Sequence, residues 1–184
     1  MLRLLYFSGA MKNAMLLWAL IAGVVWGLAG CNGQKDNATE KAAVAFNDSL
    51  VAAQSEVTYA VARFWTVVDT GDAEDLRPAL QQVQRQVEAS REQVKRLEPV
   101  AHGDSMRRQM LELFRFYERT TQNEYNRIVE LLVQHADDDS LPEPVIQEID
   151  SLMANVARRE RPYDSSFQAA QQVYARQYGF EVED

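Results

Sequence analysis

The sequence predicts an all-α protein, an up-down-up-down antiparallel four-helix bundle preceded by a cleaved signal peptide. Beyond residue 38, apolar residues recur every three or four positions, which is the spacing of one helix face. No stretch alternates apolar and polar residues as a half-buried strand does. Glycine and proline fall almost wholly at segment ends, and short connections between long amphipathic segments favour antiparallel neighbours.

The first thirty residues have the order of an export signal. Lys12 is followed by the uncharged residues 15–28 and then by two small residues. This order is typical of a signal peptide, whereas a transmembrane helix needs about 20 apolar residues and is less favoured here. Met11 with Lys12 would begin a complete signal by itself, so the start at Met1 and a start at Met11 both stay open.

The run Leu28-Ala29-Gly30-Cys31 resembles the lipobox of bacterial lipoproteins. The resemblance implies transfer of diacylglyceryl to the Cys31 sulfur and then cleavage between Gly30 and Cys31, with palmitate as a typical acyl chain of the anchor. Cys31 is the single cysteine of the chain, so it has no disulfide partner within it. Asn32 follows, as in lipoproteins that Gram-negative cells forward to the outer membrane. The expected location is therefore the cell envelope, with attachment to a membrane through Cys31.

Residues 31–38 are small and polar and predict a lipidated tether, and residues 39–184 are expected to form the bundle domain. The first helix is expected to end at Gly71. Its apolar face consists of Ala43, Phe46, Leu50, Val57, Val61, Phe64 and Val68.

Asp72 is expected to cap the second helix and Pro99 to close it. The apolar face of this helix consists of Leu76, Leu80, Val83, Val87, Val94 and Leu97. Asp104 is the expected cap of the third helix, which runs to an acidic loop. The apolar face of the third helix consists of Met110, Phe114, Tyr117, Thr121, Tyr125, Ile128 and Leu132.

Pro144 suits the first turn of a fourth helix, and Pro162 lies inside it. The apolar face of this helix consists of Ile149, Met153, Val156, Tyr163, Phe167, Ala170 and Tyr174. Because a proline removes one backbone donor and clashes one turn back, the helix is expected to kink near Pro162. The apolar face keeps its phase across the proline, which favours one kinked helix over two unrelated ones.

The charge of the chain disfavours two classes of partner. Of 19 Lys and Arg only Arg3 and Lys12 precede Cys31, while all 27 Asp and Glu follow it, so the part from Cys31 onward has a formal charge of −10. Nucleic acid needs clustered cations, and adsorption to anionic lipid needs a basic surface. Membrane attachment is therefore expected through the anchor at Cys31 alone. An envelope protein is the other partner that we expect, because of the location that the anchor predicts.

Catalytic and metal-binding patterns are scarce. His102 and His135 lie at opposite ends of the third helix, about 45 Å apart, so they cannot share a metal ion. No Glu-x-x-His pair, haem-attachment motif or nucleophile elbow occurs. The acidic run at residues 137–139 lacks the glycine and distal glutamate of an EF-hand and is typical of a solvated turn. The prediction is no enzyme, no metal and no cofactor.

One polar interruption of the apolar faces remains, at roughly 22 to 28 Å along each helix from the tether end. This predicted polar layer consists of Gln54, Thr121, Glu124 and Glu160, with Arg158 or Arg159 close by. In one interpretation these side chains fix the register of the helices at some cost in stability. In the other they line a small pocket opened by the kink. The first interpretation is favoured.

The end of the chain carries a family resemblance. The run FQAAQQVYA at residues 167–175, followed by Tyr178-Gly179-Phe180, is similar to the closing segment of an uncharacterised family of bacterial surface lipoproteins. Earlier stretches agree, namely Phe46-Asn47-Asp48 with Leu50, Arg96-Leu97-Glu98-Pro99, and Phe116-Tyr117 followed by Glu124-Tyr125. The resemblance implies an exported, lipid-anchored helical domain and supplies no catalytic residues.

The leading functional hypothesis is therefore a non-enzymatic envelope lipoprotein whose bundle is structural or binds a partner near the membrane. The alternative is a bundle that binds a small ligand or a metal ion through the predicted polar layer.

Overall fold

The computed structural model describes residues 37–70 and 72–182, and within these ranges the chain is helical without any strand. The expected signal, the cleavage site at Gly30 and Cys31, and Gly71 lie outside the described residues. The helices are α1 (Asn37–Thr70), α2 (Ala73–Arg96), α3 (Asp104–Gln122), α4 (Glu124–Gln134) and α5 (Glu143–Tyr178). Since α3 and α4 together fill the place of the predicted third helix, the prediction of an all-α four-helix bundle is confirmed.

The helix starts show which local signals act as expected. Asp72 Oδ1 accepts a hydrogen bond from the Glu74 backbone N–H at 3.2 Å, so Asp72 is the N-cap of α2 as predicted. Pro144 lies in the first turn of α5, also as predicted. The prediction for Asp104 is wrong, because Gly103 holds the N-cap position of α3 and Asp104 is already its first residue.

The predicted third helix is interrupted once, at Asn123, which has φ −109° and ψ −80°. Its side-chain Nδ2 donates to the Arg119 carbonyl oxygen at 2.7 Å. The Asn123 N–H donates to the same carbonyl at 3.0 Å, and the Asn123 carbonyl accepts from the Arg127 N–H at 2.9 Å. The asparagine side chain thus competes for a backbone acceptor, which distorts the turn while the hydrogen-bond ladder continues across it.

The last helix continues through Pro162, so the prediction of one helix in place of two is confirmed. Proline has no N–H to donate to the carbonyl of Arg158, four residues earlier. The midpoint of α5 therefore lacks one rung of its backbone hydrogen-bond ladder.

The predicted apolar faces form one core. Every residue of the predicted faces of the first and third helices is buried, and in the predicted face of the second helix only Leu97, just past the end of α2, is partly exposed. In α5, Met153, Tyr163 and Ala170 are partly buried against the core. Burial of these side chains is the main favourable term in folding, at about 25 cal/mol per Å² of apolar surface. Among the described residues, none of the helices is both long and apolar enough to cross a membrane.

The turn between α2 and α3 packs tightly against α1. The Gly103 N–H donates to the Val100 carbonyl at 2.7 Å, and His102 closes the turn with φ 66°. A Cβ atom at Gly103 would lie 2.8 Å from Phe46 Cε1 and 2.9 Å from the Val100 oxygen. A glycine is therefore required here by close approach of a side chain and a backbone oxygen.

We expect Gly103→Ala to lower the free energy of unfolding by about 2 kcal/mol, because the added methyl displaces Phe46 or the turn. Urea denaturation monitored by circular dichroism measures this change in the free energy of unfolding. Gly179→Ala is the control: Gly179 has φ 81° and nothing lies within 4 Å of its added Cβ, so only backbone strain of about 1 kcal/mol is expected. A Gly103→Ala protein as stable as the unsubstituted one would contradict the packing described.

Candidate functional site

A layer of carboxylates lies where α5 packs on α3 and α4. It consists of Glu124, Glu160 and Asp164 together with Tyr117 and Arg159, and is called the carboxylate layer below. Glu124 and Glu160 are each 8% exposed, and Asp164 is partly buried. Three acidic groups and one guanidinium therefore share a region that is largely shielded from water.

Glu160 is bonded to α3. The buried Tyr117 hydroxyl donates a hydrogen bond to Glu160 Oε1, which connects the C-terminal half of α3 to the middle of α5. Burial raises the pKa of Glu160 to about 7; the Tyr117 hydrogen bond opposes this rise, and the Asp164 charge adds to it. Burial, with the neighbouring Glu160 charge, also holds the pKa of Tyr117 well above its usual value. Near neutral pH this pair therefore exists in two protonation states.

Glu124 takes the only guanidinium of the layer. Arg159 of α5 donates from Nη1 to Glu124 Oε1, and its guanidinium carbon lies 5.5 Å from the centre of the Phe116 ring. The distance is typical of a cation–π contact. The second oxygen of Glu124 and the Thr120 hydroxyl are buried without a hydrogen-bond partner among the described residues.

Asp164 lies one helical turn beyond Glu160, and burial raises its pKa to about 6. Residues four apart on a helix are neighbours, so the ionised forms of these two side chains repel each other. The layer is accordingly easiest to bury when at least one of the two carries a proton.

Aromatic rings pack beside the layer and help to shield it from water. Tyr125 stacks on Phe64 at a ring distance of 5.4 Å and meets the edge of Trp65 at 5.2 Å. Tyr163 stacks on Phe116 at 5.1 Å. These rings lower the local dielectric response, which is the physical origin of the raised carboxyl pKa values.

The structure brings together only part of the predicted polar layer. Glu124 and Glu160 lie in it, and Arg159, not Arg158, supplies the cation, since Arg158 bonds to Asn155 at 2.9 Å. The Thr121 hydroxyl donates to the Glu118 carbonyl of its own helix at 3.0 Å. Gln54 is half-buried on α1, and none of the hydrogen bonds described for residues 37–182 joins it to the other three.

The carboxylate layer contains two residues, Tyr117 and Asp164, that are absent from the predicted polar layer. The sequence presents Tyr117 as one more aromatic residue on an apolar face, although a buried tyrosine usually finds a polar partner. The spacing of Glu160 and Asp164 at i and i+4 is visible in the sequence, but the burial of that helix face is not.

Outside the carboxylate layer, one surface groove and the distribution of metal-binding side chains bear on ligand binding. A surface groove of about 480 Å³ is lined by Lys95, Asp104, Arg107, Arg108 and Leu111. Lys95 pairs with Glu92 at 2.6 Å and Arg107 with Asp104 at 2.8 Å, so most of its positive charge is neutralised. Within residues 37–70 and 72–182, no three His, Cys, Asp or Glu side chains are grouped so that they could hold a metal ion.

Residues that carry the family resemblance meet where α1 begins. Gln171 donates to Asn47 Oδ1 at 2.9 Å, a buried hydrogen bond between α5 and α1. Next to it Phe46 contacts Tyr174, with ring centres 5.8 Å apart, and the Tyr178 hydroxyl donates to the Ala101 carbonyl. This contact set joins α1, α5 and the α2–α3 turn, and is called the tether-end cluster because it lies near the end of α1 that follows the predicted tether.

Comparison of the chain with protein-family models, with curated proteins and with solved structures finds no match.

Proposed function

We propose that the protein is a lipid-anchored lipoprotein of the bacterial envelope, whose helical bundle serves as a non-enzymatic scaffold that binds a protein partner near the membrane. The observation that carries the proposal is the order of the N-terminus: a positive segment, the apolar residues 15–28 and a lipobox that contains the only cysteine. Asn32 after the cysteine favours the outer membrane if the cell is Gram-negative.

The proposal includes an antiparallel up-down-up-down topology. Contacts between α2 and α3 support it, since Arg91 pairs with Glu118 while Arg107, early in α3, bonds to the Leu97 carbonyl after α2. Contacts of α5 run in the same reversed order, because Arg127 pairs with Glu148 whereas Tyr178 reaches Ala101.

With this topology the bundle has a direction. The tether-end cluster lies where α1 begins, so it would face the membrane to which Cys31 is joined. The acidic loop at residues 136–140 and the α1–α2 connection would point away from it. A partner at a distance from the membrane would meet the acidic end, and a partner close to the lipid would meet the tether-end cluster.

The non-enzymatic part of the proposal is supported by the bonds that already occupy the side chains of the carboxylate layer. Tyr117 is bonded to Glu160, and Arg159 is bonded to Glu124. These pairs join helices and lie beside aromatic rings, as expected for a layer that specifies packing. A ligand would first have to break them, which makes the ligand-binding alternative the weaker candidate.

Site-specific photo-crosslinking in intact cells tests the proposal. A photoreactive residue is placed at Tyr59, which is 64% exposed on α1, at Asp138 in the acidic loop, or at Val173, which is 57% exposed on α5. We expect a discrete protein adduct from at least one position, and its loss when Cys31→Ala is added. Adducts that persist unchanged in Cys31→Ala, or the absence of any protein adduct from all three positions, would overturn the proposal.

A further inference from the structure

We propose that the carboxylate layer is a pH-sensitive contact between helices. It holds α5 against α3 and α4 when Glu160 is protonated, and it lets the middle of α5 loosen when Glu160 loses its proton to solvent. This inference goes beyond the proposed function and does not depend on the lipid anchor.

The first support is the imbalance of charge in a buried place. Arg159 is committed to Glu124, so neither Glu160 nor Asp164 has a cationic partner among the described residues. Glu160 has one neutral donor, the Tyr117 hydroxyl. An ionised carboxylate that is shielded from water and has one neutral hydrogen bond pays a desolvation penalty that the bond offsets only in part.

The second support is what each neighbouring helix presents to Glu160. From α3 it is Tyr117, and from α4 it is Tyr125 and the already paired Glu124. On α5 itself Asp164 lies one turn away and acts on Glu160 through its charge, and Arg159, adjacent in sequence, is bonded to Glu124. From α1 the uncharged rings of Phe64 and Trp65 approach through their contact with Tyr125. None of these groups is a free cation, so only the Tyr117 hydrogen bond favours ionisation of Glu160, and burial together with the Asp164 charge opposes it.

The third support is the backbone of α5. Pro162 lies between Glu160 and Asp164, and it removes the donor for the Arg158 carbonyl. The segment that carries Glu160 and Asp164, the two carboxyls without a cationic partner, is thus the part of α5 where the backbone is least restrained. Repulsion between the ionised side chains acts where the helix can yield most easily.

The direction of the pH effect follows from the two raised pKa values, about 7 for Glu160 and about 6 for Asp164. Because both are above the usual carboxyl values, the unfolded chain gives up these protons at lower pH than the folded chain does. The stabilisation is complete below about pH 4, and it is lost as the pH rises through about 6 and then about 7.

The test is thermal denaturation of the purified full-length protein in detergent between pH 5 and pH 8. Glu160→Gln keeps an acceptor for Tyr117 but cannot ionise. We expect its Tm to be close to that of the unsubstituted protein at pH 5 and higher by roughly 5 °C at pH 8. Glu56→Gln, on the exposed face of α1, is the control and should show no such pH-dependent difference. A Tm difference between Glu160→Gln and the unsubstituted protein that is the same at both pH values would overturn the proposal.

A second measurement avoids the need for a folded Glu160 variant. The ¹³C resonance of the Glu160 carboxyl in the unsubstituted protein should titrate at least one pH unit above ordinary glutamates. Asp164→Asn should move this midpoint down, because the Asp164 charge contributes to the rise. A midpoint in the ordinary glutamate range would overturn the proposal, whatever the outcome for the anchor at Cys31.

Discussion

Arg159→Ala is expected to lower the free energy of unfolding by about 3 kcal/mol at neutral pH. The side chain of Glu124 is 10% exposed, and Arg159 supplies its only ionic partner among the described residues. Removing one member of a buried ion pair leaves the other as an uncompensated charge, which costs about 3 to 5 kcal/mol. The lower end applies because the side chain of Arg159 is 38% exposed, so water reaches part of the pair. The contact with the Phe116 ring is lost as well.

The neighbouring arginine gives a matched control. Arg158 is exposed and bonds only to Asn155 of its own helix, so Arg158→Ala should change the free energy of unfolding by no more than about 0.5 kcal/mol. Glu124→Gln combined with Arg159→Ala should recover part of the loss, because no unpaired charge then remains. Urea denaturation of the unsubstituted protein, Arg158→Ala, Arg159→Ala and the double variant measures these differences in the free energy of unfolding. Equal losses for Arg158→Ala and Arg159→Ala would contradict the assignment of Arg159 to the carboxylate layer.

The apolar faces could be predicted from the sequence because helix periodicity is a local property. Leu50, Val57 and Phe64 occupy one face at any tertiary arrangement of a regular helix, and all three are buried. The cap at Asp72 is similarly local, since a side chain reaches an N–H two residues away. Asp104 shows the limit of such signals, because a capping residue type next to Gly103 does not decide which of the two holds the N-cap.

The polar pairs could be predicted only in part. Glu124 and Glu160 interrupt apolar faces, and this is visible in the sequence. Which groups they bond to depends on the relative rotation and register of three helices, which no local pattern encodes. Asn123 is also informative: its side chain distorts the helix by bonding to Arg119, yet asparagine occurs in many undistorted helices.

The tether-end cluster gives the family resemblance a physical content. Asn47 and Gln171 are 124 positions apart in the chain and form a buried hydrogen bond. Burying two amide side chains costs desolvation free energy, and in return their hydrogen bond fixes one arrangement of the helices. The resemblance thus rests on residues that hold α1 and α5 together at the end nearest the proposed anchor.

Cys31→Ala is expected to abolish acylation altogether. No other residue of the chain is a cysteine, so no second thiol can receive the lipid. Each buried methylene contributes about 0.8 kcal/mol to membrane binding, so two or three acyl chains hold the protein far more firmly than one would. Metabolic labelling with an alkyne fatty acid measures the effect: the label should be present on the unsubstituted protein and absent from Cys31→Ala. A Gly33→Ala variant, next to the tether start, serves as the control and should retain the label.

The proposed function rests on the anchor at Cys31. Its most direct test is mass spectrometry of the N-terminal peptide, released from the protein after extraction from membranes. We expect a mature chain that begins at Cys31, lacks residues 1–30 and carries diacylglyceryl and acyl groups on that residue. A chain that retains residues 1–30, or one whose Cys31 is present and unmodified, would contradict it.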